Sequence, residues 1–198
     1  MKLGLTGGIA CGKSTVSAML VSRGAKLVDA DQAAREVVLP GEPALAAIVA
    51  EFGQAVLNAD GTMNRSEVGK LVFNDRERLS KLEAILHPAI RNRMWTQIRA
   101  HEAEDPKQLI IADIPLLYET GQADLYDAVM VVYAPRTAQA ERLVARNGLT
   151  REEAERRIAL QMDIEEKRRL ADFVIDNSGT LDDTRRQVDL FWQEQGLP

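Results

Sequence analysis

The chain has 198 residues, of which 45% are apolar and 28% are charged, a balance typical of a globular protein rather than a disordered or fibrous one. A single cysteine, Cys11, excludes an intramolecular disulfide and provides too few thiols for a structural zinc site. The formal net charge of −5 lacks the broad positive field of nucleic-acid-binding proteins. We therefore expect no nucleic-acid partner, and local basic clusters for any anionic ligand.

Apolar runs in the chain are short. The longest, residues 44–50 and 128–134, fall well below the roughly 18 residues that a membrane-spanning helix requires. The first eight residues carry one charged side chain and soon become glycine-rich, which is unlike a secretory signal. We expect a cytoplasmic protein without membrane association and, because no exposed apolar stripe is evident, a monomer.

The first part of the chain alternates between strand and helix patterns. Short apolar runs at residues 2–6 and 25–29 predict buried strands, and helical periodicity at residues 14–23 predicts a helix between them. Residues 31–106 are mainly helical in pattern, and we interpret them as an insertion on the sheet. Three turn signals interrupt them: Pro40-Gly41, Asn58-Ala59-Asp60-Gly61 and His87-Pro88.

The remainder of the chain returns to alternation. Strands are predicted at residues 109–113, 128–133 and 173–176, and helices at residues 136–146, 151–169 and 181–194. Thr150 with Glu153, and Thr180 with Asp183, have the spacing of capping boxes at two helix starts. The last helix aligns four apolar side chains, interpreted as core packing: Leu181, Val188, Phe191 and Trp192.

Together these elements predict an α/β fold. Strands that alternate with helices form right-handed crossovers and a mostly parallel sheet, here of five strands, with helices on both faces. The architecture is therefore expected to be a three-layer α/β/α sandwich. No repeat, low-complexity tract or long linker interrupts the sequence, so we expect a single domain.

The strongest motif is Gly7-Gly8-Ile9-Ala10-Cys11-Gly12-Lys13-Ser14-Thr15, which fits G-x-x-x-x-G-K-[ST] between a predicted strand and a predicted helix. Its glycines allow a tight loop whose amide groups cradle an anion, assisted by the helix N-terminus. Lys13 can follow the β- and γ-phosphates, and the Ser14 hydroxyl can coordinate Mg²⁺. The motif predicts nucleotide binding.

Cys11 lies inside this loop, close to Lys13 and to a helix start, both of which favour a thiolate. One interpretation, which we favour, is a small side chain that points away from the phosphates. The other is a thiol whose oxidation or modification closes the nucleotide site.

Acidic residues end two predicted strands, where ligands of parallel sheets collect. Asp113 ends an apolar strand and is a candidate for holding Mg²⁺, directly or through water, although a capping or turn role is the alternative. Asp29 and Asp31 would face the same side of an extended segment. They suit either a general base beside a metal-bound water or a solvated turn. In phosphoryl transfer such a base acts mainly by positioning the acceptor hydroxyl.

Basic residues form two kinds of cluster. Arg142 and Arg146 share a helix face. This face is either exposed to solvent or part of a lid that brings cations to the transferring phosphoryl group, and in a nucleotide enzyme we favour the lid. The mixed charges of residues 151–169, Lys167 included, predict exposed helices with ion pairs. His87 precedes a proline and is expected at a bend. Candidates for an anionic substrate are Arg35, Arg91 and Arg93.

Six segments occur in a distinctive order along nearly the whole chain. They are Gly4-Leu5-Thr6-Gly7-Gly8-Ile9 leading into Gly12-Lys13-Ser14-Thr15, Asp29-Ala30-Asp31 with Arg35, Pro40-Gly41, Leu86-His87-Pro88, Asp113-Ile114-Pro115-Leu116-Leu117-Tyr118-Glu119, and Asp176-Asn177-Ser178-Gly179. In this order and spacing they resemble the dephospho-CoA kinase family, which phosphorylates the ribose 3′-hydroxyl of dephospho-CoA in the last step of coenzyme A synthesis. The loop departs from the family, because Ala10-Cys11 replaces a small Gly-Ser pair common there.

The resemblance implies a P-loop kinase fold with ATP and Mg²⁺ as donor and cofactor, and dephospho-CoA as acceptor. It implies a core of about residues 1–30, 107–135 and 170–198, a helical substrate-binding insertion at about 31–106 and a lid at about 136–169. Asp31 would orient or deprotonate the acceptor, Arg142 would meet the transferring phosphate, and Asn177 would lie near the adenine. The residues expected around the ATP phosphates are Gly8, Ala10, Cys11, Gly12, Lys13, Ser14 and Thr15. Those expected at the acceptor are Asp31, Arg35, His87, Asp113 and Arg146.

The residues alone leave two other classes open. One is a nucleoside or small-metabolite kinase on the same core, which would ignore the pantetheine arm of the acceptor. The other is a regulatory nucleotide switch, which would need a loop that senses the γ-phosphate. The absence of a guanine-specific N-K-x-D sequence makes the switch the weaker of the two.

Overall fold

Five apolar segments form one sheet, in a computed structural model in which residues 1–197 are described. The spatial order of the strands is β2-β3-β1-β4-β5. Their bounds are β1 Lys2–Gly7, β2 Lys26–Asp29, β3 Ile110–Asp113, β4 Ala128–Tyr133 and β5 Phe173–Asp176. The predicted strands are therefore confirmed, with ends that shift by at most one residue.

The central strand, β1, pairs in parallel with β3 on one side and β4 on the other, and β4 pairs in parallel with β5. Leu3 and Leu5 are fully buried, as expected for a strand covered on both faces. The register places Asp113 beside Leu5, and Asp176 beside Tyr133. Consequently the carboxyl ends of these four strands meet at one edge of the sheet.

Nine α-helices lie within residues 1–197, and they surround the sheet or form the inserted segment. Two short 3-10 turns, Gln54–Val56 and Ala123–Leu125, accompany them. The helices are α1 Lys13–Val21, α2 Ala30–Glu36, α3 Pro43–Phe52, α4 Arg65–Val72, α5 Arg76–Glu104, α6 Arg136–Asn147, α7 Arg151–Ile158, α8 Ile164–Leu170 and α9 Leu181–Glu194. None of them has the length and apolarity that crossing a bilayer requires.

Two predicted helix starts are confirmed as capping boxes. Thr150 and Glu153 exchange hydrogen bonds at the start of α7, and Thr180 and Asp183 do so at the start of α9. The single helix predicted for residues 151–169 is wrong, because it consists of α7 and α8. The side chain of Asp163 accepts a hydrogen bond from the Glu165 amide and caps the start of α8. Aspartate is among the residues preferred at this position, because its carboxylate satisfies an amide that has no partner within the helix.

The bend predicted at His87-Pro88 is also wrong, since α5 continues through Pro88. Proline inside a helix removes one backbone hydrogen bond and costs about 3 kcal/mol. Side chains on both sides of the proline, among them Leu86 and Ile90, pack against one buried cluster. That packing keeps the helix continuous despite the local cost.

Contacts divide the chain into two units. One comprises Met1–Val28 together with the chain from Ile98 onward, and the other is Asp29–Gln97. The second unit has its own core, in which Val38, Ile48 and Val56 are buried. The inserted segment therefore has an apolar core of its own.

The core packing predicted for the last helix, α9, is only partly confirmed. Val188 and Phe191 are buried, and the Phe191 ring stands edge-on to Phe173 with centroids 4.9 Å apart. Leu181 is 59% exposed, so its predicted core role is wrong. It is the first residue of α9 and lines a cleft beside the phosphate-binding loop.

Candidate active site

The loop between β1 and α1 is built from residues that tolerate unusual backbone angles. Gly12 has φ 87° at the start of α1, and a Cβ there would collide with Nδ2 of Asn177. A Cβ on Gly8 would lie 2.7 Å from Oε1 of Gln139. Ala10 has φ 61° although it is not glycine, a conformation that costs an L-residue about 1 kcal/mol. The glycines therefore bring the loop backbone close to the polar side chains beneath it.

Asn177 anchors this loop from the end of β5. Its Nδ2 donates to the Cys11 carbonyl at 2.8 Å, and its Oδ1 accepts from the Thr184 hydroxyl at 2.8 Å. Its backbone amide donates to the carbonyl of Tyr133 at 2.8 Å. Both polar atoms of this buried side chain are thus hydrogen-bonded, and the loop is tied to β4, β5 and α9.

Cys11 lies beneath the loop rather than on its ligand-facing side. Its Sγ is buried and contacts the Ala134 carbonyl at 3.8 Å. Burial raises the pKa of the thiol and outweighs the nearby Arg142 and Lys167, which act to lower it. The expectation that the loop favours a thiolate is therefore wrong, because desolvation dominates.

Two predicted residues, Lys13 and Asp113, meet directly. The Lys13 ammonium forms an ion pair with the Asp113 carboxylate. Asp113 is buried at the end of β3, where the parallel register with β1 brings it to the loop. The pair places a cation and a carboxylate at the start of α1, where the helix N-terminus also favours anions.

Arg142 of α6 reaches the same loop from the other side. Its guanidinium donates to the carbonyls of Ala10 at 3.2 Å and Asn177 at 2.6 Å. Arg146, one turn further, is exposed and donates to the Asn147 side chain at 3.0 Å. Of the two predicted lid arginines, Arg142 is thus held at the loop and Arg146 extends toward solvent.

A cleft of about 640 Å³ opens beside the loop, a volume within the usual range for small-molecule sites. Its walls come from the loop, the first turn of α1, α6 and the turn after β5. The lining residues include Ala10, Gly12, Ser14, Thr15, Arg142, Arg146 and Asn177. The structure thus brings together most of the residues predicted around a nucleotide.

The predicted acceptor residues Asp31, Arg35 and His87 lie in the other unit. Asp29 caps α2 by accepting from the Asp31 amide at 2.7 Å and the Gln32 amide at 3.3 Å. The chain therefore turns into a helix at Asp29, and the extended arrangement predicted for Asp29 and Asp31 is wrong. Asp31 and Arg35 are exposed on α2, and His87 is exposed in the middle of α5.

Arg93 of α5 has carboxylate partners within its own unit. Its guanidinium pairs with Glu42 at 2.8 Å and Glu36 at 3.3 Å, and the hydrogen bond to Glu42 raises its pKa. Arg91 is exposed on the same helix. Because its charge is already compensated, Arg93 is a weaker candidate for an anionic substrate than Arg35 or Arg91.

Sequence reasoning missed a third cation near the loop, in addition to Lys13 and Arg142. Lys167 was expected on an exposed helix face, yet it is completely buried and pairs with Glu119. Its position three residues after the buried Ile164 is the only sequence signal, and helical spacing of this kind rarely predicts a buried charge.

The residues at the loop suit a magnesium ion that accompanies a nucleotide. Ser14 offers an exposed hydroxyl in the first turn of α1, and Asp113 offers a carboxylate at the neighbouring strand end. Mg²⁺ prefers such oxygen ligands, and it is usually held by one or two protein groups together with substrate phosphates. The donor set fits the ion.

A parallel sheet, a glycine-rich loop that leads into a helix, and an acidic strand end paired with the loop lysine define a P-loop nucleotide-binding protein. A family model described as dephospho-CoA kinase matches residues 1–183. The chain belongs to the dephospho-CoA kinase family.

Individual relatives agree with this assignment. A dephospho-CoA kinase of Symbiobacterium thermophilum is 48% identical over 191 residues, which cover 96% of this chain and 80% of the relative. The crystal structure of TT1252 from Thermus thermophilus is 35% identical with a TM-score of 0.80, covering 98% and 97% of the two chains. A dephospho-CoA kinase from Campylobacter jejuni is 31% identical with a TM-score of 0.68, covering 98% and 96%.

Proposed function

We propose that the chain transfers the terminal phosphoryl group of ATP to the ribose 3′-hydroxyl of dephospho-CoA, forming coenzyme A and ADP. The observation that carries this proposal is the loop with its Lys13–Asp113 pair beside a nucleotide-sized cleft, in a chain of the dephospho-CoA kinase family. In the reaction, the 3′-oxygen forms a bond to the γ-phosphorus while the bond to the bridging oxygen of ADP breaks.

Charge stabilisation at the transferring group is assigned to residues of the loop and α6. Lys13 exchanges its carboxylate partner for the β- and γ-phosphates, and the loop amides bind the phosphate oxygens. Arg142 already lies at the Ala10 carbonyl, so a small movement of its guanidinium supplies a second cation to the γ-phosphate. The other residues expected around the phosphates shape the site through their backbone or side-chain surface and add no charge: Gly8, Cys11, Gly12 and Thr15.

Asp31 is the proposed acceptor-orienting residue, on the strength of the family resemblance. Its exposed carboxylate accepts the hydrogen bond of the 3′-hydroxyl and takes its proton as the new P–O bond forms. Because the transition state of phosphoryl transfer is loose, correct orientation of the hydroxyl matters more than basicity. Arg35, His87 and Arg146 are proposed to contact the anionic parts of the acceptor.

Mg²⁺, when bound, neutralises charge on the phosphate oxygens, and Ser14 and Asp113 are the residues proposed to hold it, Asp113 directly or through water.

We also propose that residues 31–106 bind the acceptor, that residues 136–169 act as the lid, and that the protein works as a cytoplasmic monomer. The separate core of Asp29–Gln97 supports an independent substrate-binding role for the insertion.

The proposal is tested by ADP release with ATP and Mg²⁺, using dephospho-CoA, adenosine, AMP or no acceptor in parallel. Release that depends on dephospho-CoA, with coenzyme A as the product, is expected. Preference for adenosine or AMP would indicate a nucleoside or nucleotide kinase. Equal release in all four reactions would indicate a nucleotide hydrolase and would remove the acceptor assignment while leaving the loop assignment intact.

A further inference from the structure

The connection between α7 and α8 bonds to the phosphate-binding loop and to the segment after β3. Oε1 of Gln161 accepts a hydrogen bond from the Ile9 amide of the loop at 2.7 Å. The next amide, that of Met162, donates to Oε1 of Glu119 at 2.9 Å. Two adjacent residues of one connection therefore contact both the phosphate-binding loop and the segment that follows β3.

Lys167 of α8 strengthens the second of these links. Its side chain has 0% exposure, and its Nζ lies 2.8 Å from Oε1 of Glu119. The same ammonium donates to the Pro115 carbonyl at 3.1 Å, which also accepts from the Thr6 hydroxyl at 3.1 Å. One buried cation thus joins α8 to the segment that follows Asp113 and, through the shared carbonyl, to β1.

A buried lysine is costly to retain. Removing an ammonium from water costs several kcal/mol even after relaxation, and a buried ion pair often stabilises a fold no better than apolar side chains of similar volume. Stability therefore gives a weak reason for an ionic group at this position. The contacts of Lys167 suggest what else it does.

Both linked segments carry a reacting-site residue. Pro115 comes two residues after Asp113, and Ile9 comes four residues before Lys13. Lys13 and Asp113 form the ion pair of the site, so the position of each depends on the backbone that Lys167 and Gln161 hold. The field of Lys167 also reaches the loop, since it acts on the Cys11 thiol.

We propose that Lys167, together with Glu119 and Gln161, forms a positioning network that holds the loop lysine and the β3 aspartate in register for phosphoryl transfer. None of the three touches the reacting atoms. The inference rests on the proposed function, because it assumes that Lys13 and Asp113 serve the transfer. It predicts an effect on the turnover of bound substrates rather than on their binding.

The test uses Lys167→Met, Glu119→Gln, the double variant and Gln161→Met, with Lys2→Met as the matched control. Lys2 is likewise a lysine paired with a glutamate, at 2.9 Å from Glu102, but it lies at the start of β1, away from the loop. For each variant kcat, KM for ATP and KM for dephospho-CoA are measured at 25 °C, alongside circular dichroism and thermal unfolding. Displacement of reacting groups by about 1 Å can cost a hundredfold in rate.

For Lys167→Met we expect kcat to fall about 10- to 100-fold while both KM values change less than about threefold. The double variant is expected to be more thermally stable than Glu119→Gln alone, because it leaves no buried lysine without a carboxylate partner. Its kcat should stay low, since the Pro115 carbonyl has still lost its hydrogen bond from α8, although it keeps the one from Thr6. Gln161→Met and Glu119→Gln should each lower kcat about fivefold, and Lys2→Met should leave kcat unchanged.

Recovery of kcat together with stability in the double variant would overturn the inference, because a purely structural role predicts that parallel recovery. So would kcat within about twofold of wild type in folded Lys167→Met. If Lys167→Met does not fold, Gln161→Met and Glu119→Gln decide: unchanged kcat in both refutes the network. Failure of the wild-type chain to use dephospho-CoA would instead count against the proposed function.

Discussion

Asn177 offers a direct measure of how firmly the loop is anchored. Replacement by alanine removes the donor to the Cys11 carbonyl and the acceptor for the Thr184 hydroxyl. Each such bond contributes about 1 kcal/mol net, and a buried carbonyl left without a donor costs a further 1–3 kcal/mol. Thr184 keeps a second contact, to the Thr180 carbonyl at 3.3 Å. We therefore expect Asn177→Ala to lower the free energy of unfolding by about 2–4 kcal/mol.

The two ends of the Asn177 side chain can be separated with a second variant. Asn177→Asp keeps an acceptor for Thr184 but faces the Cys11 carbonyl with another oxygen, and it buries a charge. It should destabilise the protein at least as much as the alanine variant. If Asn177→Ala lost only about 1 kcal/mol of unfolding free energy, as expected for the Thr184 bond alone, and Asn177→Asp were as stable as wild type, the amide group would not support the loop.

Urea unfolding, followed by tryptophan fluorescence, measures both variants, and titration with an ATP analogue reports the loop itself. Asn147→Ala is the control, because this exposed side chain accepts only a surface bond from Arg146 and should change stability by less than about 0.5 kcal/mol. An Asn177→Ala variant as stable as Asn147→Ala, with unaltered nucleotide affinity, would refute the anchoring role.

Three further predictions concern the site chemistry. Lys13→Ala should remove more than about 3 kcal/mol of transition-state stabilisation, measured as kcat/KM; near-normal turnover would contradict the loop assignment. Asp31→Asn should lower kcat more than it raises KM, because its contact strengthens in the transition state; an unchanged kcat would move the role to Asp29 or Asp113. Burial raises the pKa of the Cys11 thiol, so alkylation of the native protein at pH 8 should be much slower than alkylation in urea. The rate should increase only as the pH rises above the usual thiol pKa of 9.0. Equal rates in the native and the unfolded protein would show an accessible thiolate.

Local signals predicted the parts of this protein that depend on neighbouring residues. The five strands, the glycine-rich loop and the two capping boxes each follow from a pattern within ten residues. The physical reason is that burial on both faces, positive φ angles and helix capping leave their mark on the residues that adopt them. The same reasoning predicted that Asp113 would stand at a strand end beside the loop, because parallel strands share one edge.

Features decided by partners far along the chain were predicted wrongly or not at all. Lys167 resembles its exposed neighbours in sequence, and only the approach of Glu119 and Pro115 makes it a buried cation. Continuation of α5 through Pro88 depends on a core formed with other helices.

The sequence by itself determined the class of fold, the nucleotide loop and the family, because these reside in short ordered motifs. The tertiary structure decided which side chains hold that loop in place. Asn177 is 166 residues from Cys11, and Gln161 is 152 residues from Ile9. Hydrogen bonds over such separations arise only when the sheet has brought the segments together, and no pattern in either segment alone indicates its partner.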